Sequence, residues 1–143
     1  MATNLDKNLK SDLCEAACRD ISSADWAESE IASYRKGFIT LRFDFQRQLM
    51  IWRDSNQWFN DFIRSLPEEQ AGQMRESLAN FVCHRLSEME KIQANGRQDV
   101  EWTVRWGKNG SAVLGELSGD LSSPAWKDFA MKLASASQQY LEF

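Results

Sequence analysis

The stretch from Ser65 to Gly96, SLPEEQAGQMRESLANFVCHRLSEMEKIQANG, constrains the chain more than any other. Ala71, Met74, Leu78, Phe81, Val82, Leu86 and Met89 recur at spacings of three and four, which makes one stripe of a helix. Gln73, Glu76, Asn80, Ser87 and Lys91 fall on the opposite face. Ser65-x-x-Glu68 reads as a capping box, in which serine and glutamate satisfy each other's backbone N–H groups. Pro67 suits a first turn, and Glu68 and Glu69 add negative charge where the helix dipole favours it. Asn95-Gly96 supplies residues that tolerate the left-handed conformation of a helix end. Arg75 and Arg85 fall within the stripe, so their stems are expected along it with the charges reaching water. The expected helix covers 66–94 and runs roughly 40 Å, about the span of a small domain.

Before it, residues 6–21 predict a first helix with Leu9, Leu13, Ala17 and Ile21 on one face. Ser22-Ser23-Ala24-Asp25 then breaks the pattern and offers a new cap. Two readings compete from Trp26 to Leu66. Ile31, Tyr34, Phe38, Leu41, Phe45, Trp52, Phe59, Phe62 and Leu66 keep a near-heptad register, which predicts helix. Residues 39–45, ITLRFDF, alternate apolar and polar after Gly37, which is a strand signature. The helical reading accounts for more residues and is the expectation, with a break near Asp54-Ser55-Asn56.

The period changes after the long helix. Val100, Trp102, Val104 and Trp106 alternate with Glu101, Thr103 and Arg105, as in a half-buried strand. Gly107-Lys108-Asn109-Gly110 is a turn, and residues 111–117 are the returning strand of a hairpin that begins near residue 99. Ser123-Pro124 then caps a last helix, 124–141, whose apolar face is Trp126, Phe129, Leu133, Ala136 and Tyr140. The expected fold is therefore α+β and mostly helical, with about four helices and one hairpin, in a single domain over 1–143. A lone hairpin is marginal in water. Helices must cover it, residues 38–45 must add a strand, or a second subunit must.

Composition removes several function classes. The chain carries 17 basic and 21 acidic residues, a formal charge of −4. No part is basic, which argues against nucleic acid, whose binders need a positive footprint. No apolar run approaches the ~18 residues of a membrane span. The N-terminal residues lack the apolar core of a secretory signal, so the cytoplasm is the expected location. Cys14 and Cys18, four apart on a helix, have Cβ atoms roughly 5–6 Å apart, too far for an undistorted disulfide. Three reduced thiols are the expectation.

Chemistry-bearing residues are few. His84 is the only histidine, and it falls on the polar side of the long helix, where a solvated role is expected. Cys14, Cys18, Cys83 and His84 number four possible zinc ligands, but Cys83 and His84 point about 100° apart and the spacing fits no common zinc pattern. Gly107-Lys108 lacks the phosphate-loop context, because it precedes a strand. No catalytic residue, cofactor or metal is therefore expected. The anomaly is aromatic: six tryptophans and eight phenylalanines exceed what a core this size needs. Trp52, Trp58, Trp102 and Trp106 are the candidate protein-binding residues, since tryptophan is enriched at binding hot spots. The functional expectation is a small, non-enzymatic protein that binds and occludes or chaperones a protein partner, of the inhibitor, immunity-protein or secretion-chaperone type. The alternatives are an aromatic-lined small-ligand domain and a homo-oligomeric structural component.

Overall fold

A computed structural model describes residues 4–33, 35–88, 100–110, 113–139 and 141, with backbone only for 4–10. Among the described residues there are three α-helices and one six-stranded sheet: α1 (Asn4–Ser23), β1 (Trp26–Ser33), β2 (Gly37–Asp44), β3 (Leu49–Asp54), β4 (Phe62–Ser65), α2 (Glu68–Glu88), β5 (Val100–Gly107), β6 (Val113–Asp120) and α3 (Pro124–Ser137). A short 3-10 turn, Trp58–Asn60, lies between β3 and β4. The sheet order is β4-β3-β2-β1-β5-β6, antiparallel at every pairing.

This overturns the mostly helical fold with about four helices. The helix expected across 26–66 is four strands and a 3-10 turn. Its near-heptad register mixes two faces, for Leu41, Phe45 and Trp52 are buried whereas Phe38 is 44% and Phe59 70% exposed. The period that decides is two. Ile39, Leu41 and Phe43 point into the core while Thr40, Arg42 and Asp44 alternate outward. β-branched and aromatic residues fill this segment, and they fit a pleated, half-buried surface better than a helix. The Asp54-Ser55-Asn56 signal marks a turn, in which the Asp54 carboxylate accepts bonds from the backbone N–H groups of Asn56 (2.9 Å) and Gln57 (3.1 Å).

The other elements fall close to expectation. α1, α2, the β5–β6 hairpin and α3 occupy their predicted places, and Gly110 takes the positive φ of 76° expected of the turn. Ser123 caps α3 by accepting the Trp126 backbone N–H at 3.2 Å. The Ser65–Glu68 capping box does not form. Ser65 is instead the last residue of β4, paired with Leu49, and the carbonyl of Pro67 accepts the first helical bond, from Ala71. The expected helix end at Asn95-Gly96 lies outside the described residues, as do Met89, Lys91 and Tyr140. The neighbour that the hairpin needs is β1, which pairs with β5 from Trp26↔Gly107 to Ser33↔Val100.

All three helices cover one face of the sheet. Ala27, Ile31, Leu41, Phe43, Met50, Trp52, Trp102, Val104 and Trp106 meet Ile21, Met74, Leu78, Phe81, Trp126, Phe129 and Leu133 in one core. Trp102 stacks on Trp126 with centroids 5.3 Å apart, and Phe81 meets Trp102 edge-on at 5.3 Å. The indoles need space on β6, and Gly115 and Gly119 provide it. A Cβ on Gly119 would lie 2.8 Å from the Trp102 ring, and one on Gly115 would overlap the Trp106 ring.

Among the described residues the opposite face of the sheet has no helix over it, and a row of charges crosses its middle. In register across it, Glu28 stands between Arg42 and Arg105, and Arg105 faces Glu116. Glu28–Arg42 is 3.2 Å and Arg105–Glu116 is 3.7 Å. Opposite charges directly across strands favour this register over a slip.

Arg85 does not reach water as its position in the stripe suggested. It is buried, donates to Glu88 at 3.1 Å and to the Ser118 carbonyl at 3.3 Å, and lies 5.2 Å from the Trp102 ring centre. Glu88 accepts in addition from the Ser123 hydroxyl and from the Ala125 backbone N–H at 3.2 Å. Its carboxylate thus sits at the N-terminus of α3, where backbone donors and the dipole favour negative charge. Arg75 closes the end of α1, donating to the carbonyls of Ile21 (2.7 Å) and Ser22 (3.1 Å) while stacking over Phe45.

Burial alone would raise the Glu88 carboxyl, but the bonds from Ser123, Arg85 and Ala125 outweigh it and hold the group below its ordinary value. The side chain and backbone of Ser122 depress Asp120 in the same direction. A carboxyl depressed on folding contributes stability above its unfolded pKa, about 4, which is lost as pH falls through the lower folded value. Acid titration followed by circular dichroism should show stability declining below about pH 4. That decline should be shallower in Glu88→Gln, which leaves Arg85 buried without a counter-charge and costs about 3–5 kcal/mol at neutral pH. Gly115→Ala should cost about 1–3 kcal/mol in denaturant melts by forcing the Trp106 indole out of place.

Candidate functional site

The four candidate tryptophans do not form one surface. Trp52, Trp102 and Trp106 are buried on the helix-covered face of the sheet, at 3%, 0% and 4% exposure. Strand alternation puts them there, each standing on the inward set of its strand. Trp58 lies outside the regular strands and is 74% exposed. Its neighbour Phe59 is 70% exposed, and their rings meet edge-on at 6.3 Å. Ile63, on the outward set of β4, is 66% exposed.

The loop that carries this pair is held by its own bonds. Besides the two accepted by Asp54, the backbone N–H of Asp54 donates to the Asp61 carboxylate at 2.8 Å. The backbone N–H groups of Asn60 and Asp61 donate to the carbonyls of Gln57 (2.8 Å) and Trp58 (3.0 Å). The Asn60 side chain donates to Gln57 at 2.7 Å. Ser55 ties the loop to β2, its backbone N–H reaching the Phe38 carbonyl and its hydroxyl accepting the Phe38 N–H. Phe38 is itself 44% exposed. An ordered loop with two large aromatic rings in water, beside the four-residue edge strand β4, is a preorganised display of apolar surface. Sequence reading found Trp58 through the tryptophan count but passed over Phe59, which it had assigned to a helix stripe. The adjacent Trp-Phe pair between Asp54-Ser55-Asn56 and Asn60-Asp61 was the signal available.

A groove of about 790 Å³ runs between α2 and α3. Met74, Phe81 and Phe129 line it together with Glu76, His84, Asp128 and Lys132. His84 stands 3.8 Å from Glu88 and 4.0 Å from Asp128, beyond hydrogen-bond distance of either. These carboxylates are the side-chain partners of His84 among the described residues.

The cysteines behave differently from the expectation of three reduced thiols. Cys14 of α1 and Cys83 of α2 are joined by a disulfide, their Cα atoms 5.1 Å apart. The free thiol of Cys18, one turn along α1, lies 3.8 Å from the Cys83 sulfur. Helix packing supplies what sequence spacing could not, because the partner of Cys14 is 69 residues away. His84 belongs to the groove and stands apart from this cluster.

No protein-family model matches the chain, and comparison with curated proteins finds no match. No helix among the described residues is long and apolar enough to cross a membrane.

Truncating the tryptophans should separate display from core. Trp102→Ala should destabilise by about 3–5 kcal/mol. Trp58→Ala should stay within about 0.5 kcal/mol of the parent in the same melts.

Proposed function

We propose that this is a small, non-enzymatic protein that binds another protein and occludes or chaperones it, as inhibitors, immunity proteins and secretion chaperones do. The observation that carries the reading is the Trp58–Phe59 pair, exposed on a hydrogen-bonded loop. Holding two aromatic rings in water is unfavourable for an isolated molecule, and aromatic anchors supply most of the binding energy in many interfaces. Because the loop is already ordered, little conformational entropy is lost on docking. The net charge of −4 favours a basic partner and speeds its approach. The cytoplasm is the proposed location.

The test is a pull-down of the tagged chain from its native lysate, repeated with the Trp58→Ala/Phe59→Ala double variant. A stoichiometric partner that the parent retains and the variant loses at least tenfold, with unchanged melting temperature, supports the reading. A partner retained equally by both moves the contact elsewhere, and recovery of the bait alone removes the support.

The α2–α3 groove favours a second reading, a site for a small ligand, since about 790 Å³ falls within the range of ligand pockets. Thermal stabilisation of the chain by members of a metabolite library would support it, provided that Lys132→Ala, an exposed lining residue of the groove, weakens the effect. Self-association is the third reading, and light scattering during size exclusion distinguishes it from a monomer.

A further inference from the structure

We propose that, once the Cys14–Cys83 disulfide is reduced, Cys14, Cys18 and Cys83 bind one thiophilic d¹⁰ cation, Zn²⁺ being the probe. The three sulfurs lie within 4.8 Å of one another, contributed by two adjacent turns of α1 and by the facing turn of α2. Thiolates at about 2.3 Å from a tetrahedral zinc are about 3.8 Å apart. The Cys18–Cys83 separation is 3.8 Å. One edge of the ligand set is thus already at the spacing that a shared ion imposes, and rotation of the Cys14 side chain completes the triangle. All three residues are half-buried, so an ion reaches them from solvent and keeps an open fourth position. His84 does not fill that position, since it faces Glu88 and Asp128. Soft thiolate donors select zinc or copper(I) over magnesium or calcium.

The one component required from outside is a dithiol reductant. A dithiol transfers two electrons and two protons to the Cys14–Cys83 bond, leaving two thiols in the protein and a disulfide in the reductant. The cation then displaces the thiol protons and binds three thiolates, so that binding releases protons and weakens as pH falls. In the disulfide form only Cys18 retains a thiol, and the site does not exist. The same three residues therefore exist either as a covalent staple with one thiol or as a metal centre, according to the redox state.

The full chain is reduced with a dithiol, freed of reductant under argon, and titrated with Zn²⁺ or with Co²⁺ as a coloured substitute. The expected results are one ion per chain, a thiolate-to-cobalt charge-transfer band, and protection of all three cysteines from alkylation by mass spectrometry. Cys18→Ser, which leaves the disulfide pair intact and so can be isolated folded, should bind at least tenfold more weakly after reduction. The unreduced chain should take up no ion. The proposal is overturned if the reduced chain takes up no stoichiometric ion or if Cys18→Ser binds as well as the parent. Protection of fewer than three cysteines, or uptake only after the near-ultraviolet circular dichroism of the folded chain is lost, overturns it as well. None of these outcomes depends on a protein partner.

Discussion

Trp102 joins the sheet to the helices, and much of the structure is arranged around it. It is fully buried on β5, stacks on Trp126 of α3, meets Phe81 of α2 edge-on and lies beneath Arg85. Its indole N–H donates to the Asp120 carbonyl at 2.6 Å, so a polar atom in the core is satisfied. Burying so large a ring places demands on its neighbours. β6 must carry glycine opposite it, and the guanidinium above it must find a carboxylate inside the protein. Glu88 is that carboxylate, and its remaining capacity caps α3, which returns Trp126 to the stack. The packing and the ion pair are mutually dependent, because an unpaired Arg85 would be costly at that depth.

Three helices and the β5–β6 hairpin were legible in the residues, the mostly helical fold was not correct, and what was missed has a definite cause. α2 carries an unambiguous period, and α3 and the β5–β6 hairpin add to theirs a cap or turn signal that the structure uses, Ser123-Pro124 and Gly110. The segment 26–66 satisfies two periods at once, since Ile31, Leu41 and Trp52 fit the heptad register and also stand on the inward sets of β1, β2 and β3. Local alternation in 39–45 reported the truth, and the hairpin's need for a neighbour pointed the same way. The neighbour was β1, whose inward set includes Ser29 and Ser33 beside Ala27 and Ile31. Small polar residues on a buried face conceal a strand from any apolar count.

The candidate sites were less legible, for a different reason. Burial of Trp52 follows from strand alternation in β3 and exposure of Trp58 from the turn after it; the helical reading placed a break there but kept both residues on helices. The cysteine cluster depends on how α1 packs against α2, and no spacing within either helix encodes that. Arg85 was misread because charge on an apolar stripe was expected to reach water. Its partner, three residues on, was visible as Glu88 at a helical spacing.

The bond between Cys14 and Cys83 also divides the chain in a way that the sheet does not. It closes a ring holding the end of α1, strands β1 to β4 and most of α2, while β5, β6 and α3 hang outside it. Yet β5 inserts between β1 of the ring and β6 of the tail, so the outer segment is woven into the sheet that the ring begins. A single backbone cut anywhere between Cys14 and Cys83 releases no fragment while that bond is intact. A cut after Cys83 frees a piece that only packing and hydrogen bonds retain. The molecule therefore has one half that survives a single cut covalently and another that, once cut, only packing and hydrogen bonds hold.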